Sequence, residues 1–385
     1  MTEWETVVGL EVHVELATAT KLFCACPNEF GSEPNTNVCP VCLGLPGSLP
    51  VLNERVVEFA LRIGEAFNFD VPAMSVFHRK NYFYPDMPKD FQVTQYDEPI
   101  CLKGSIEVDG THIGITRAHL EEDTGKSVHV GGGGRIHDAE YSLVDYNRAG
   151  VPLMEVVSEP DMRSSEQARR YVEELRATLQ AIGVSDVKME EGSLRIDANI
   201  SVRPVGASEF GTRAEIKNVN SLRSLAHAVD FERARQIELL ESGGRVVQET
   251  RHWDEDAGRT RPGRSKEDAD DYRYFPEPDL VPIAPTDAMR KHARETMPEL
   301  PTARRARLVE EWGINEQDAR VLVASPELAV YAATAVAALD GGGTAKDVVN
   351  WTTNEVLSYL NDTGLSPALL SPEMLAELVR LVTDG

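Results

Sequence analysis

Hydrophobic and polar residues alternate in VVGLEVHVEL, residues 7 to 16. Side chains of a strand point to opposite faces in turn, so the alternation predicts a β-strand with one apolar face. The other face would carry two carboxylates around an imidazole, those of Glu11, His13 and Glu15. Two interpretations remain open: the polar face meets water, or it belongs to a metal or phosphate site that other segments complete.

Similar strand patterns recur up to about residue 285, in GSIEVDG, HIGITRAHL, YSLVDYN, PLMEVVS, VKMEEGSLRIDANISVRPV and TRAEIKNV. Two helices interrupt them. The first begins at Ser164, with Gln167 as its capping-box partner, and ends at Gly183. The second runs from about Ser221 to Ser242. Because the strands come in runs, we predict an α+β fold with a mainly antiparallel sheet.

The composition changes near residues 282 to 301, and short helices rich in Ala, Leu and Glu follow. Ser325 and Ser371 are each followed by Pro-Glu, which is typical of an N-cap with proline at the first helical position. We therefore predict a sheet domain over residues 1–285 and a small all-helical domain over residues 286–385.

The chain has 385 residues, of which 63 are acidic and 39 basic, and its formal charge is −24. Such a field repels phosphate backbones, so any contact with nucleic acid must use local groups of Arg and Lys. The acidic composition fits either a high-salt cytoplasm or ordinary solubility.

No apolar run approaches the roughly 18 residues that a bilayer-spanning helix needs. The start, MTEWETVVG, lacks the basic and apolar regions of a secretory signal. We expect a cytoplasmic protein without membrane association, in a compartment where thiols stay reduced.

Four of the five cysteines lie in the segment from about residue 22 to 45, as the pairs Cys24/Cys26 and Cys39/Cys42. Two close pairs joined by a turn-rich spacer can present four thiolates to one tetrahedral ion, so the segment predicts a structural zinc site. The alternatives are free thiols or, in an oxidising compartment, a disulfide. Cys101 is interpreted as a packed small hydrophobic residue.

Acidic residues cluster in HLEEDTGKS, MEVVSEPD and MEEGSLRID, each in or beside a predicted strand. If these strands neighbour Glu11 and His13, their carboxylates converge into an oxygen-rich site suited to Mg²⁺. The alternative is a set of solvated carboxylates on an acidic protein. DTGKS does not end a P-loop, because Leu120 occupies a position where that motif requires glycine.

Residues 78 to 95, HRKNYFYPDMPKDFQVTQ, mix basic side chains with aromatic rings. This combination suits a nucleotide or a tRNA end, through phosphate pairing and base stacking. The alternative is a proline-terminated loop whose aromatic rings pack against a core.

Eight motifs together resemble the B-subunit family of the glutamine-dependent Asp-tRNA/Glu-tRNA amidotransferases (GatCAB), the GatB/GatE family. They are GLEVHVEL, the two cysteine pairs, HRKNYFYPDMPK, HLEEDTGK, DYNRAGVPLMEVVSEPD, MEEGSLRIDANISVR, EIKNVNS and DYRYFPEPDL. The resemblance is dense over about residues 5 to 285. It implies an antiparallel cradle domain followed by a helical domain and then by a small C-terminal tail domain that contacts the tRNA. We find no counterpart of that tail in this sequence.

The resemblance also implies an activity. Family members use ATP and Mg²⁺ to phosphorylate the side-chain carboxylate of misacylated Glu-tRNA(Gln) or Asp-tRNA(Asn), and ammonia from glutamine then displaces the phosphate. Nothing here resembles the family's Ser-Ser-Lys glutaminase, so the ammonia should come from the glutaminase A subunit, in a heterotrimer with the small C subunit. Two alternatives stay open: a non-catalytic, zinc-stabilised tRNA-binding scaffold, and a free-standing ATP-dependent ligase acting on a small carboxylate.

The resemblance suggests roles for individual residues. The expected Mg²⁺ ligands are Glu11, His13, Glu122 and Glu155, with Glu121 and Glu190 close to them. Arg79, Lys80 and Lys126 are expected to contact ATP phosphates, and Arg195 is expected to steady the activated carboxylate.

Overall fold

The computed structural model describes residues 2–131, 139–263, 272–359 and 370–384. The chain divides into two compact units, Met1–Met297 and Pro298–Gly385. No single helix among these described residues is long and apolar enough to cross a membrane. Two consecutive helices, Glu316–Ala324 and Glu327–Ala337, reach the necessary length and apolar composition only when they are counted as one segment, and the chain bends sharply between them.

The described part of the first unit contains four helices and thirteen strands. The helices are α1 (Glu54–Ala66), α2 (Ser165–Ala181), α3 (Leu222–Glu241) and α4 (Asp287–Glu295). The strands are β1 (Trp4–Glu15), β2 (His78–Asn81), β3 (Phe91–Thr94), β4 (Cys101–Val108), β5 (Thr111–Glu122), β6 (Lys126–Val130), β7 (Tyr141–Asp145), β8 (Pro152–Ser158), β9 (Leu194–Pro204), β10 (Ala214–Val219), β11 (Thr250–Asp254), β12 (Arg259–Pro262) and β13 (Phe275–Pro276).

Eleven of these strands form one sheet, in the order β12-β11-β10-β9-β1-β8-β5-β3-β2-β13, with β4 paired to β5. The pairings are antiparallel except for the parallel pair β10 and β11. Strands β6 and β7 form a separate hairpin. The predicted α+β fold with a mainly antiparallel sheet is therefore confirmed.

Strand β1 lies at the centre of the sheet, between β9 and β8. Its even-numbered side chains from Val8 to Val14 are almost fully buried. Helix α3 packs against β9 and β1, and α2 packs against α3 and β4. The helices thus cover the apolar face, which leaves the polar side chains of β1 on the opposite face of the sheet.

The two predicted helices occur where expected. Ser164 and Ser221 cap α2 and α3, each by accepting a hydrogen bond from a backbone N–H three residues on. The Gln167 side chain, however, accepts from the N–H of Arg163 and not from that of the cap residue Ser164. Helix α1 was not predicted, although Asn53 caps it and an apolar stripe that includes Phe59 faces the core.

The first unit extends past the expected boundary near residue 285. Helix α4 packs against α1, where Arg294 forms an ion pair with Glu65 and Arg290 donates to the carbonyls of Val71 and Pro72. Residues 187–193 were expected to begin strand β9, but they form a turn in which Val187 and Gly192 have positive φ. Several unpredicted strands have only two to five residues, too few for an alternating pattern to be recognised.

The second unit contains α5 (Pro301–Trp312), α6 (Glu316–Ala324), α7 (Pro326–Ala337), α8 (Ala345–Trp351), a π-helical turn (Thr352–Val356) and α9 (Pro372–Asp384). Ser325 and Ser371 accept hydrogen bonds from the backbone at the starts of α7 and α9, as predicted. Two apolar clusters, one around Leu322 and one around Leu375, form its core.

Candidate active site and metal centre

The register of the central strands brings the polar side chains of four strands into one row. His119 on β5 lies opposite Glu155 on β8, and Glu155 lies opposite His13 on β1. On the other side of β1, His13 lies opposite Arg195 on β9. Residues that pair directly across strands share a face, so the row lies on the sheet face away from α2 and α3.

His13 lies within reach of three carboxylates. Its Nδ1 is 3.2 Å from Glu121 Oε1 and 3.9 Å from Glu155 Oε2, and its Nε2 is 3.9 Å from Asp197 Oδ2. The ligand atoms of His13, Glu121 and Glu155 all lie within 4.8 Å of one another. We call these three residues the histidine cluster. Two carboxylates with one imidazole form a donor set that can hold a divalent cation.

The carboxylates determine the charge of the histidine. Burial would lower the pKa of His13, but the hydrogen bond to Glu121 and the charges of Glu155, Glu121 and Asp197 outweigh it and raise that pKa to about 9. Burial would likewise raise the pKa of Glu121, yet its hydrogen bonds to His119 and His13 hold it well below the usual range. In the metal-free protein at neutral pH, His13 is therefore a cation that compensates an ionised Glu121.

A second imidazole supports the cluster from β5. His119 is buried, and its Nε2 lies 3.5 Å from Glu155 Oε2 and 3.8 Å from Glu121 Oε2. Arg117 reaches its other ring nitrogen at 3.4 Å. Thr94 Oγ1 donates to Glu121 at 3.4 Å. These contacts hold both carboxylates in a defined orientation.

A second group of carboxylates continues the row on the β9 and β10 side. The carboxylates of Glu11, Asp197 and Glu215 also lie within 4.8 Å of one another. Lys217 is placed among them, with its Nζ 2.5 Å from Asp197 Oδ2 and 3.7 Å from Glu215 Oε1. Although burial disfavours the ammonium, Asp197 and Glu215 raise the pKa of Lys217, so it stays charged. We call Glu11, Asp197, Glu215 and Lys217 the lysine cluster.

The structure places Glu122 and Arg79 away from the histidine cluster. Alternation along β5 directs Glu122 to the opposite face from Glu121, where it pairs with Lys89 and accepts from the N–H of Val93. Arg79 also lies on that side, in a bidentate pair with Glu277 at 2.6 and 2.8 Å. Glu122 therefore does not join the expected Mg²⁺ ligands, and Arg79 does not lie where it was expected to contact ATP phosphates beside them.

Three other expected residues do not converge either. Glu190 is exposed in the turn before β9, and Lys126 is exposed on the β6–β7 hairpin. Lys80 lies on β2, on the same face of the sheet as the histidine cluster, and its Nζ is 4.6 Å from the ring centroid of Tyr272. Arg195 is in the row, with its guanidinium 2.8 Å from Asp123 Oδ2.

The sequence assigned no individual role to four site residues, although two of them stand in its acidic clusters: His119, Asp197, Glu215 and Lys217. All four lie in recognised motifs. His119 is two residues from Glu121, and Asp197 is two residues from Arg195, so each shares a strand face with a predicted site residue. Glu215 and Lys217 lie in β10, which pairs with β9. Alternation within HLEEDTGK would have grouped His119 with Glu121 and separated both from Glu122. The sequence did not show that β10 pairs with β9, and it is this pairing that brings Lys217 to Asp197.

The four cysteines of the segment around residues 22 to 45 meet as predicted. The sulfur atoms of Cys24, Cys26, Cys39 and Cys42 lie within 4.8 Å of one another. The Sγ atoms of Cys39 and Cys42 are 3.9 Å apart, close to the edge of roughly 3.8 Å that four zinc–sulfur bonds of ~2.3 Å define in a tetrahedron. This thiol cluster can hold a metal ion.

A buried lysine lies beside the thiol cluster. Lys21 is fully buried, and its Nζ donates to the carbonyl of Asn37 at 2.7 Å. A hydrogen bond with Cys24 lowers the pKa of Cys42 to about 5 against the effect of burial, with help from the N–H of Cys39 and the charge of Lys21. The surroundings thus favour thiolate, the form that binds metal, at Cys42, whereas burial raises the pKa of Cys26 to about 11.

Comparison with known proteins now identifies the family. The family model described as "GatB/GatE catalytic domain" matches residues 6–291. This chain belongs to the GatB/GatE family. Residues of both clusters and all four cysteines of the thiol cluster lie within the matched GatB/GatE region.

Curated relatives cover nearly the whole chain. The B subunit of the aspartyl/glutamyl-tRNA(Asn/Gln) amidotransferase from Frankia casuarinae is 54% identical to it, over 100% of this chain and 78% of its own length. The protein of the same name from Nocardia farcinica is also 54% identical, over 98% of this chain and 77% of its own length. The protein of the same name from Carboxydothermus hydrogenoformans is 53% identical over 100% of this chain and 80% of its own length.

Proposed function

We propose that this chain is the carboxylate-activating subunit of a glutamine-hydrolysing tRNA amidotransferase, a ligase. A side-chain carboxylate oxygen of Glu-tRNA(Gln), Asp-tRNA(Asn) or both would attack the γ-phosphate of ATP and release ADP. Ammonia from glutamine would then displace the phosphate and leave Gln-tRNA or Asn-tRNA. The partners would be the glutaminase A subunit with the small C subunit, and the setting would be the cytoplasm. Family membership and the names of the relatives support this function.

The observation that carries the proposal is the histidine cluster on the polar face of the sheet. In this proposal His13, Glu121 and Glu155 hold Mg²⁺, which would neutralise phosphate charge when bound. His119 and Thr94 keep the two carboxylates in position. Phosphoryl transfer needs accurate placement more than covalent help from the protein, and a row of side chains fixed by strand register provides that placement.

Two cations beside the row suit the anionic reactants. Lys217 is partly exposed, with 39% of its side-chain surface accessible, so its ammonium can turn toward a phosphate oxygen. Arg195 lies directly opposite His13 and can steady the activated carboxylate. Together they compensate part of the negative charge that two phosphates and a carboxylate would bring to an acidic site.

The thiol cluster is assigned a structural zinc ion. Four sulfur ligands close a tetrahedral site and leave no position for a substrate, so the zinc would stabilise the fold and take no part in the reaction. The neighbouring Lys21 offsets part of the negative charge of four thiolates.

ADP formation by the chain co-purified with its glutaminase and the small C subunit tests the proposal. The comparison is with and without misacylated Glu-tRNA(Gln), for wild type, Glu155→Gln and Glu190→Gln. Glu190 is a matched control because it is an exposed carboxylate of the same chain that lies outside both clusters. We expect ADP that depends on charged tRNA, lost in Glu155→Gln and retained in Glu190→Gln. ADP formation by Glu155→Gln at the wild-type rate would remove the histidine cluster from the reaction, and the absence of any ADP formation that depends on charged tRNA would support a non-catalytic scaffold.

A further inference from the structure

The segment DTGKS, which is not part of a P-loop, continues β5 into a turn whose first residue is buried. Asp123 is 3% exposed. Its N–H donates to the carbonyl of Val151 at 2.8 Å, and its carbonyl accepts from the N–H of Gly150 at 3.0 Å. The pairing of β5 with the segment that leads into β8 thus continues for one residue beyond Glu122. Alternation along the strand therefore places Asp123 on the same face of the sheet as Glu121.

The turn is fixed by an arginine and a glycine. Arg148 donates from Nε and Nη2 to the carbonyls of Thr124 and Gly125, both at 3.0 Å. The same Nε lies 3.3 Å from Asp123 Oδ2. A Cβ atom on Gly125 would lie 2.9 Å from the carbonyl oxygen of Asp145, so a side chain there would collide with the backbone. The turn and Arg148 therefore set the position of the Asp123 carboxylate without any contribution from β9.

Arg195 reaches this carboxylate from a distant strand. Arg195 belongs to β9 and Asp123 follows β5, and strands β1 and β8 lie between those two in the sheet. Nevertheless, Arg195 Nη2 lies 2.8 Å from Asp123 Oδ2. Among the described residues, Asp123 is the only carboxylate within ion-pair distance of Arg195. The arginine side chain therefore extends over the polar face toward the end of β5, and Asp123 holds its end there.

The guanidinium is held in place but still accessible. Burial would lower the pKa of Arg195, but the charge and the hydrogen bond of Asp123, followed by the charges of Glu15 and Glu121, raise it. The arginine side chain is 31% exposed. A guanidinium has five N–H donors, and the contact with Asp123 occupies only part of them. The remaining donors can contact the carboxylate oxygens of a bound substrate.

We propose that Asp123 is a positioning residue, which holds the guanidinium of Arg195 beside the histidine cluster so that it can steady the substrate carboxylate. Arg148 acts one step further out, because it fixes Asp123. An arginine that is already ordered loses less side-chain entropy when the substrate binds, and its donors are in place when charge develops. The inference rests on the proposed function, because it takes Arg195 to act on the carboxylate that is phosphorylated.

Steady-state ADP formation by the purified heterotrimer with charged tRNA tests the inference. Asp123→Asn should lower kcat at least about tenfold, since a misplacement of roughly 1 Å can cost up to a hundredfold, while the KM for ATP stays unchanged. Glu232→Gln is the matched control, because Glu232 is a fully buried carboxylate that pairs with Arg235 on α3. It should lower the unfolding temperature and leave kcat unchanged.

A double-mutant cycle separates positioning from a purely structural role. If Asp123 acts through the guanidinium, Asp123→Asn should cause no further loss of kcat in an Arg195→Ala background. Equal losses with and without Arg195 would show that Asp123 only supports the fold, and would overturn the inference. A wild-type kcat in Arg195→Ala would overturn it as well.

Arg148→Gln provides a second variant that keeps Asp123, in case Asp123→Asn yields no intact heterotrimer. Arg148 is partly exposed, so its replacement should be tolerated. It should also lower kcat, and that effect should disappear in the Arg195→Ala background. Wild-type kcat in Asp123→Asn or Arg148→Gln, with ADP formation lost in Glu155→Gln, would overturn the inference and leave the proposed function intact. A wild-type rate in Glu155→Gln would count against the proposed function itself.

Discussion

The carboxylate of Asp197 lies 2.5 Å from the ammonium of Lys217. The same Oδ2 is 3.9 Å from His13 Nε2, so Asp197 connects the histidine cluster with the lysine cluster. A fixed cation thus stands among carboxylates on β10, two strands away from His13 on β1. Since these carboxylates would repel incoming phosphates, Lys217 should matter more for activity than for stability.

Replacing Lys217 tests that expectation. Lys217→Met should lower kcat/KM for ATP at least about tenfold (~1.4 kcal/mol), because three carboxylates lose their cation. The free energy of unfolding should fall by no more than about 1 kcal/mol, as for other partly exposed ion pairs. Lys188→Met is the control, since Lys188 forms a 2.8 Å pair with Glu191 at the surface. Equal effects of the two substitutions on kcat/KM would contradict the role given to Lys217.

Removing the central imidazole should slow the reaction strongly. His13→Ala is expected to reduce carboxylate activation at least about a hundredfold, or ~2.7 kcal/mol of barrier, because the proposed Mg²⁺ site loses one of its three ligands. His112→Ala provides the comparison, since His112 is exposed on β5. Single-turnover ADP formation measures both variants, and a near-normal rate in His13→Ala would remove this residue from the mechanism.

Zinc should be bound in a ratio of about one ion per chain and should stabilise the fold. Cys26→Ser is expected to lose the metal and to unfold at a lower temperature. Cys101→Ser should keep the metal, because Cys101 is not part of the thiol cluster. Elemental analysis together with thermal unfolding checks this prediction. Full zinc content in Cys26→Ser would show that the metal is held elsewhere.

Cys101 should resist alkylation in the folded protein. Burial raises its pKa from 9.0 to about 12, so at pH 8 its thiolate fraction is roughly a thousandfold below that of the unfolded chain. Thiolate in the folded state should therefore form only as the pH nears 12, whereas in the unfolded chain it forms near pH 9. Mass spectrometry after iodoacetamide treatment, with and without urea, measures the difference. Rapid labelling of Cys101 at pH 8 without urea would show that the side chain is accessible.

Some elements could be predicted because their signals are local. The cap at Ser164, the apolar periodicity of α3 and the alternation of β1 each involve neighbours within one element. The thiol cluster belongs here too, since a short spacer joins both cysteine pairs. Helix α1 carries signals of the same local kind, a capping Asn53 and an apolar stripe, so its position was also available from the sequence although it was not predicted.

The sequence alone determined the family, the mainly antiparallel α+β fold, the meeting of the four cysteines and the presence of a polar face on β1. Each of these depends on residue types and on spacing within short segments. The tertiary structure decided which strands are neighbours, and hence that His119 and Lys217 stand beside His13 and Asp197 while Glu122 faces Lys89. Strand order and register are set by the packing of the whole sheet on its helices, and a shift of one residue would exchange the two faces. A linear pattern therefore predicts that a strand has a polar face, but only the fold determines which residues of other strands lie beside it.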